Sequence, residues 1–596
     1  MPQSIAITGQ GIICAIGVDC DSVLSSLKRE EKGISQIEYL ESGHKELPVG
    51  EVKMSNDEMK NILGIPTDKD ISRTSLLGAI ALKQAIESAS LSESDLNGKR
   101  IVFISGTTVG GMDVTERHYP DMLSDSISAE FVVQHDCGSN TKEIAQLCGL
   151  NAELITISTA CSSAMNAIIL GTRMLLSEQA DIVIAGGSEA LSRFHLNGFN
   201  SLMILDHNDC RPFDSSRQGL NLGEGAAYVV LEKGESHVQR TETRPLGYIA
   251  GYGNRCDAFH QTATSENGEG AFLAISDALE MSGLCPDQID YINAHGTGTP
   301  DNDRSESQAI LRVFSNPYPP VSSTKSFTGH TTSASGSIET VICLLCMYNG
   351  FIPANLRWEN SSKDCIVPSS GVSEVHLSNV LCNSFGFGGN DSALIISENP
   401  TSLAEVVNET EISITPVYEI DSADDLAESK KYVSPMEGRR MSKIMKAAIV
   451  TSMKALEDAG IEKPDAIIIG TAYGMLDQGE KILNNIAENG EEGLSPTLFM
   501  QSTHNTIAGS LAIRLKCHGY NITYSQGDDS WDLAIEDAKQ LIKEGKAKHV
   551  LVGIHDYCPE HFRNIYELAG VNIPQELVSK SVVVSKRDTG KEVTDA

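Results

Sequence analysis

What most limits the folds open to this chain is that it carries one frame twice. From residue 155 it reads ITISTACSSAMNA, and from residue 522 it reads ITYSQGDDSWDLA. In register, Cys161 stands opposite Asp528, and Arg73 and Ser75 stand opposite Arg440 and Ser442 at the same offset. RIVFISGTTVGG likewise answers to AIIIGTAYGM, and ADIVIAGGSEA to AKHVLVGIHDY. A repeat of this length sets the architecture before any single element is assigned, because both copies must follow one supersecondary plan. The copy spans roughly 412 to 590 and matches only the first half of residues 1–400.

Within each copy, short β-branched runs alternate with longer helical patterns, the mark of an α/β fold with buried sheets. RIVFISG, ELITIST, ADIVIAGG, AAYVVLE, QIDYINAHG and SALIISE read as strands. In the helical stretch SSAMNAIILGTRMLLSEQA, residues Ala164, Ala167, Ile168, Gly171 and Leu175 share one face at i, i+3/i+4 spacing. Near residue 400 the chain turns acidic and turn-rich, so 401–435 reads as a connector holding at most one or two strands.

Bulk properties narrow the function classes. Lys and Arg total 46 against 80 Asp and Glu, a net charge of −34, and phosphate binding needs a basic surface, so nucleic acid is excluded as a partner. No run of about 18 apolar residues occurs, so no membrane span is expected. The start, MPQSIAITGQGIICAIG, has no basic n-region. Fourteen cysteines without that export signal fit reduced thiols, which places the chain in the cytoplasm.

Four motifs in residues 1–400 carry chemistry. ELITIST leads through a tight turn into a helix, which sets Cys161 at the helix N-terminus among Ala160, Ser162 and Ser163. The macrodipole there is expected to lower the thiol pKa and make a nucleophile. YINAHGTGTPDND puts His295 at the end of a strand, ahead of a Gly/Thr loop. STKSFTGHTTSASGSIE puts His330 between Lys325 and Glu339. Each histidine lies where a strand hands over to a helix, the edge at which open α/β sheets bind ligands. His118, His135, His195 and His207 have no such setting and read as structural. In LCNSFGFGGNDSALIISE, Gly386, Gly388 and Gly389 allow backbone N–H groups to approach a ligand and donate to an oxyanion. Cys343 and Cys346 form a C-x-x-C inside an apolar helical stretch and read as core.

Taken in order, Cys161, His295, Lys325, His330 and the GFGG loop resemble the β-ketoacyl synthases of the thiolase superfamily, the Cys-His-His condensing enzymes. ITGQGIICAIG, RPFDSSRQGLNLGEGAAYVVLE and GYGNRCDAFHQTA extend the likeness over essentially all of 1–400. The resemblance implies a thiolase-like layered αβαβα fold of two related halves, 1–240 and 241–400, followed by the connector and a degenerate, non-catalytic half-repeat at 436–596. It implies a 3-oxoacyl-[acyl-carrier-protein] synthase in which Cys161 carries the acyl group and malonyl-ACP is decarboxylated, in fatty-acid or polyketide biosynthesis of aryl-polyene type. By the same resemblance His295 and His330 stabilise the enolate, while Lys325 with Glu339 orients them. The N–H groups of Cys161 and Phe387 form the oxyanion hole, and Phe387 gates the nucleophile. Thr297 and Thr299 grip the phosphopantetheine arm, with Gly388 and Gly389 beside the substrate and Val109 at the pocket wall. No metal or other cofactor is implied. The partners implied are an acyl carrier protein and a dimer, either of this chain or with another ketosynthase-like chain.

The second copy keeps the frame and loses the chemistry. Asp528 replaces the cysteine, and no H-G-T-G-T, K-x-x-x-x-G-H or G-F-G-G follows. It resembles the stand-alone ketosynthase-like N-terminal domain of aryl-polyene pathways. Residues FVVQHDCGSNTKEIAQLCGL are unusually polar for the interface helix of such enzymes, whereas FMQSTHNTIAGSLAIRLK at the same place in the copy fits better. The copy is therefore expected to supply surface, covering the interface the first copy has altered. The other class of function in view is an idle, chain-length-factor-like subunit of another ketosynthase.

Overall fold

Runs without polar alternation belong in strands buried on both faces. A computed structural model, which describes residues 3–122, 129–403, 410–420, 425–439, 441–571, 573 and 577–587, places them so. The first half supplies β1 (Ile5–Cys14), β2 (Ile101–Gly106), β3 (Glu153–Ile157), β4 (Ile182–Glu189) and β5 (Gly225–Lys233). These lie in the order β3-β2-β4-β5-β1. The second half adds β6 (Gly247–Cys256), β7 (Tyr291–Asn293) and β8 (Val321–Ser322), then a small pair, β9 (Phe351–Ile352) with β10 (Ser373–Glu374), and finally β11 (Asn379–Gly386) and β12 (Asn390–Ser397). Their order, β8-β7-β11-β12-β6, repeats the first pattern strand for strand.

The pattern returns a third time in β13 (Ile412–Ile414), β14 (Tyr418–Ile420), β15 (Ala466–Gly470), β16 (Asn521–Tyr524), β17 (His549–Tyr557) and β18 (Leu577–Lys586). The order is β16-β15-β17-β18-β13, with β14 also on β18. The segment expected as a connector, 401–435, thus supplies two strands to the repeat's own sheet, and β13 holds the place β1 holds in the first half.

Layering follows from which faces are apolar. Helices Ser163–Leu176 and Ser335–Asn349 touch strands of both halves, while Arg73–Ser88 and Glu269–Ser282 pack outside on β1, β5 and on β6, β12. This is the layered αβαβα arrangement. An inner helix must be apolar all round, and in Ser163–Leu176 every residue but the last is buried. Its counterpart in the repeat, Ser530–Lys543, has no second half to pack against and is amphipathic, with Asp532, Glu536 and Lys543 exposed. Half a fold suffices there because its inner helix needs cover on one side only. Outside, Ser442 caps helix Lys443–Ala459 as Ser72 caps Arg73–Ser88, three residues off the sequence pairing of Ser75 with Ser442. Arg440 lies outside the described residues.

The copies meet at β3 and β16, which pair antiparallel through Ile157 and Tyr524. Ser158 N donates to Thr523 O at 3.0 Å, and Ser525 N donates to Thr156 O at 2.9 Å. Cys137 and His504, 367 residues apart, approach to 3.6 Å across the same seam. That is also the offset between Cys161 and Asp528, between Ile157 and Tyr524, and between Ser158 and Ser525. Equivalent residues therefore face one another, which is the signature of an isologous two-fold contact made within one chain.

Candidate active site

The turn that presents Cys161 is a single 3-10 turn, Ala160–Ser162, running from β3 into helix Ser163–Leu176. Ala160 and Thr332 both adopt the left-handed region, at φ of 53° and 46°. Non-glycine residues hold that conformation at a cost of about 1–2 kcal/mol each, and such strain concentrates at functional sites. Asn390, from the start of β12, fastens the turn by accepting from Ser162 Oγ at 2.7 Å and Asn166 Nδ2 at 2.8 Å.

Around Cys161 the two halves converge. His330 Nε2 stands 3.1 Å from Cys161 Sγ, and His330 Nδ1 stands 3.1 Å from Ser335 Oγ. The ring of His295 lies perpendicular to that of His330, 5.2 Å away centre to centre. Lys325 Nζ bridges His295 Nδ1 at 3.2 Å and Glu339 Oε1 at 2.5 Å. An ammonium can only donate, so His295 Nδ1 accepts and its proton resides on Nε2. Burial, with the Lys325 charge second, pushes both imidazoles well below the ordinary histidine range, so both are neutral.

The thiol does not behave as the helix terminus alone suggests. Burial pushes Cys161 up to about 12, against the pull of Lys325 and of the Phe387 and Cys161 backbone N–H groups. Cys161 therefore rests as a thiol, and its proton must be taken at the moment of attack. The same two N–H groups point at the sulfur, where an oxyanion hole for a thioester bound there would lie. Gly388 and Gly389 differ from expectation. Their amides are taken up within the protein: Gly388 N donates to Gln261 O, in the segment after β6, at 2.7 Å, and Gly389 N donates to Gly386 O at 3.1 Å. What Gly388 contributes is close approach, since a Cβ there would come within 2.9 Å of Asn505 Nδ2 from the repeat.

Thr297 and Thr299 face each other in the loop after β7, their hydroxyls 2.8 Å apart. Glu306, which no motif singled out, holds this loop by accepting from the N–H groups of His295 and Gly296, both at 2.8 Å. Glu189 acts likewise on the loop after β2, accepting from Thr108 N at 2.6 Å and Ser333 Oγ at 2.5 Å. Its counterpart Asp556 in the repeat accepts from Ala472 N and Tyr473 N, both at 2.9 Å. Asp528 and Asp529 are exposed in their turn and face no such site.

Beside Cys161 lies a cavity of about 20 Å³ lined by Val109, Phe199, Phe387, Phe499, Ser502 and Thr503. The last four of these come from two places: Phe387 from the first copy's GFGG loop, and Phe499, Ser502 and Thr503 from the repeat. Phe387 stacks on Phe199 at 5.6 Å, and Phe499 meets Phe199 edge-on at 5.1 Å. The Phe499 ring fits because residue 198 is glycine: a Cβ there would fall 2.1 Å from the ring. His195, read as structural, also lines this cavity and is 3% exposed.

Residues 3–237 match the β-ketoacyl synthase N-terminal domain family and residues 246–359 its C-terminal domain family. Residues 418–586 match a second N-terminal domain family of the same enzymes. The chain is 31% identical over 413 residues to 3-oxoacyl-[acyl-carrier-protein] synthase 2 of Coxiella burnetii, covering 66% of this chain and 98% of that one. Among solved structures, the ishigamide ketosynthase/chain length factor aligns at 30% identity and a TM-score of 0.62 over 67% of this chain and 99% of its own. The PfaC keto synthase–chain length factor aligns over 99% of this chain and 79% of its own with a TM-score of 0.80, at 16% identity, a likeness of fold. Both halves, the site and the repeat lead to one assignment: the chain belongs to the β-ketoacyl synthase family.

Proposed function

We propose that the protein is a 3-oxoacyl-[acyl-carrier-protein] synthase whose own C-terminal repeat takes the place of a ketosynthase-like partner chain. The observation that carries the chemistry is Cys161 Sγ 3.1 Å from His330 Nε2, with His295 and Lys325 behind it. As Cys161 attacks an acyl thioester, its proton passes to His330 and the S–C bond forms. The N–H groups of Cys161 and Phe387 receive the oxyanion, and the departing pantetheine thiolate takes the proton. A malonyl thioester then enters, with Thr297 and Thr299 on its arm. Its bond to the carboxylate breaks, CO2 leaves, and the electron pair stays behind as a thioester enolate.

His295 donates to that enolate through Nε2–H, the tautomer fixed by Lys325. His330 can do the same because Ser335 Oγ is able to donate or accept, so either tautomer is held. The carbanion attacks the acyl carbon on Cys161, the C–S bond breaks, and the thiolate takes up a proton from solvent water. The product is a 3-oxoacyl thioester on the carrier protein. None of these steps transfers electrons to an external acceptor or calls for a metal. Support for the partner role comes from the isologous β3–β16 pairing and from Phe499, Ser502 and Thr503 at the cavity wall. An idle subunit leaves the Cys161–His330 contact and the Lys325 bridge without a use.

The test is mass spectrometry of residue 161 after incubation with an acyl-carrier-protein thioester, followed by malonyl-ACP. Acyl mass on Cys161 and a 3-oxoacyl product are expected from the intact protein, and neither from Cys161→Ala, with a rate loss of at least about 10³-fold. Equal product from both proteins would sink the assignment.

A further inference from the structure

Beyond Cys161 the lining of the acyl route changes character. The first cavity shares Val109, Phe194 and Ser502 with a second, of about 30 Å³. The first is walled by four phenylalanine rings, with the hydroxyl residues Thr108, Thr332, Ser502 and Thr503 between them. The second keeps apolar lining in Met112, Met475 and Leu476, and adds His135 and Asp136 from the first copy and Tyr473 and His504 from the repeat. Tyr473 stands at the position Val109 holds in the first copy. Asp136 accepts from Tyr566 Oη at 2.8 Å, and His135 Nδ1 stands 2.9 Å from Thr115 Oγ1. His504 Nδ1 is buried and has no hydrogen-bond partner among the described residues.

Buried polar groups are a liability for an alkyl chain, which desolvates them without replacing their hydrogen bonds. They suit a ligand that completes those bonds. The charge state narrows the ligand further. Burial holds His135 and His504 down at about 4 and lifts Asp136 to about 7. The imidazoles are then neutral at physiological pH, and the cavity offers hydrogen bonds with no positive counter-charge for an anion.

We propose that the far end of the acyl chain carried on Cys161 bears an uncharged oxygen, a hydroxyl, and that the seam cavity between the two copies selects for it over a saturated alkyl end. The hydroxyl donates to His504 Nδ1 or accepts from it, according to the ring's tautomer, with Tyr473 Oη as second partner. This rests on the reading that Cys161 is acylated.

The experiment uses the full chain and two length series of acyl-pantetheine thioesters, one saturated and one hydroxylated at the terminal carbon. Acylation of residue 161 is followed by mass spectrometry. At the best-fitting length the hydroxylated chain is expected to react about tenfold faster, the worth of one or two buried hydrogen bonds. His504→Leu brings that ratio toward one, and Tyr473→Phe does the same in part should His504→Leu fail to fold. Saturated chains reacting as fast or faster at every length overturn the proposal while leaving the condensing activity standing. Acylation by neither series overturns both.

Discussion

A chain ended at residue 400 is expected to come out aggregated and without condensing activity. Truncation uncovers β3, whose Thr156 and Ser158 now pair with β16, and an uncovered sheet edge is a template for association. It also removes Phe499, whose ring stands 6.1 Å from Phe194 and 5.1 Å from Phe199, and so opens the wall of the Cys161 cavity. Pairing two truncated chains does not repair the loss. Across the seam Arg173 Nη1 reaches Asp537 at 2.6 Å and Nε reaches Glu544 at 2.9 Å. In a homodimer the residues standing there, 367 positions earlier, are Leu170 and Ser177. Only Glu153, in place of Tyr520, brings a negative charge to that spot. A buried ion that loses its partners costs about 3–5 kcal/mol, and a symmetric pair incurs it twice. Light scattering and a condensation assay decide the matter, and a monodisperse, active truncated dimer would contradict the account.

In the intact chain Arg173→Met is expected to destabilise the fold by about 3–5 kcal/mol, because two buried carboxylates lose their shared guanidinium. The three side chains are each no more than 3% exposed, so solvent screening offers little relief. Tyr520 and Tyr524 still donate to Asp537 at 3.0 and 2.9 Å, and Lys546 stays 3.2 Å from Glu544, which keeps the loss toward the lower end. The sign with pH is fixed by Glu544, held below the usual carboxylate range; burial opposes this, but Arg173 and Lys546 outweigh it. A depressed folded pKa contributes stability above the unfolded value of about 4.3 and loses it as the pH falls. The Arg173→Met protein should therefore lose less stability on acidification than the parent. Denaturant titrations of both proteins at neutral and acid pH measure the difference; equal midpoints at neutral pH would remove the seam ion cluster from the account.

Much of this was legible in the sequence. The duplicated frame announced a third appearance of the strand order, to which β14 is an addition, and unalternated β-branched runs such as RIVFISG gave buried strands. Cys161, His295 and Lys325 were found by their motifs because each follows a strand end, where the fold gathers loops, whereas His330 follows the short helix Lys325–Thr328 and Glu339 lies within helix Ser335–Asn349. Other features depend on contacts that no local pattern encodes. Which face of the repeat docks on β3 is set by the matching of whole surfaces, so Phe499, Ser502 and Thr503 could not be placed at the cavity from sequence. Glu306 and Glu189 lie in ordinary helix and strand contexts, and only the backbone N–H groups they receive reveal them. The helix terminus suggested a lowered thiol pKa for Cys161, but burial among Phe199, Phe387 and the repeat's Phe499 reverses the direction. His195 and His135 read as structural from their neighbours in sequence, while their neighbours in space are the two cavities.

The central claim is that one chain contains both the catalytic ketosynthase and its partner surface. The most direct measurement is condensing activity across a size-exclusion profile with in-line light scattering. The account predicts that 3-oxoacyl product forms in the peak whose mass is one chain, 64.0 kDa. Activity confined to a larger species, or appearing only when another ketosynthase-like chain is added, would contradict it.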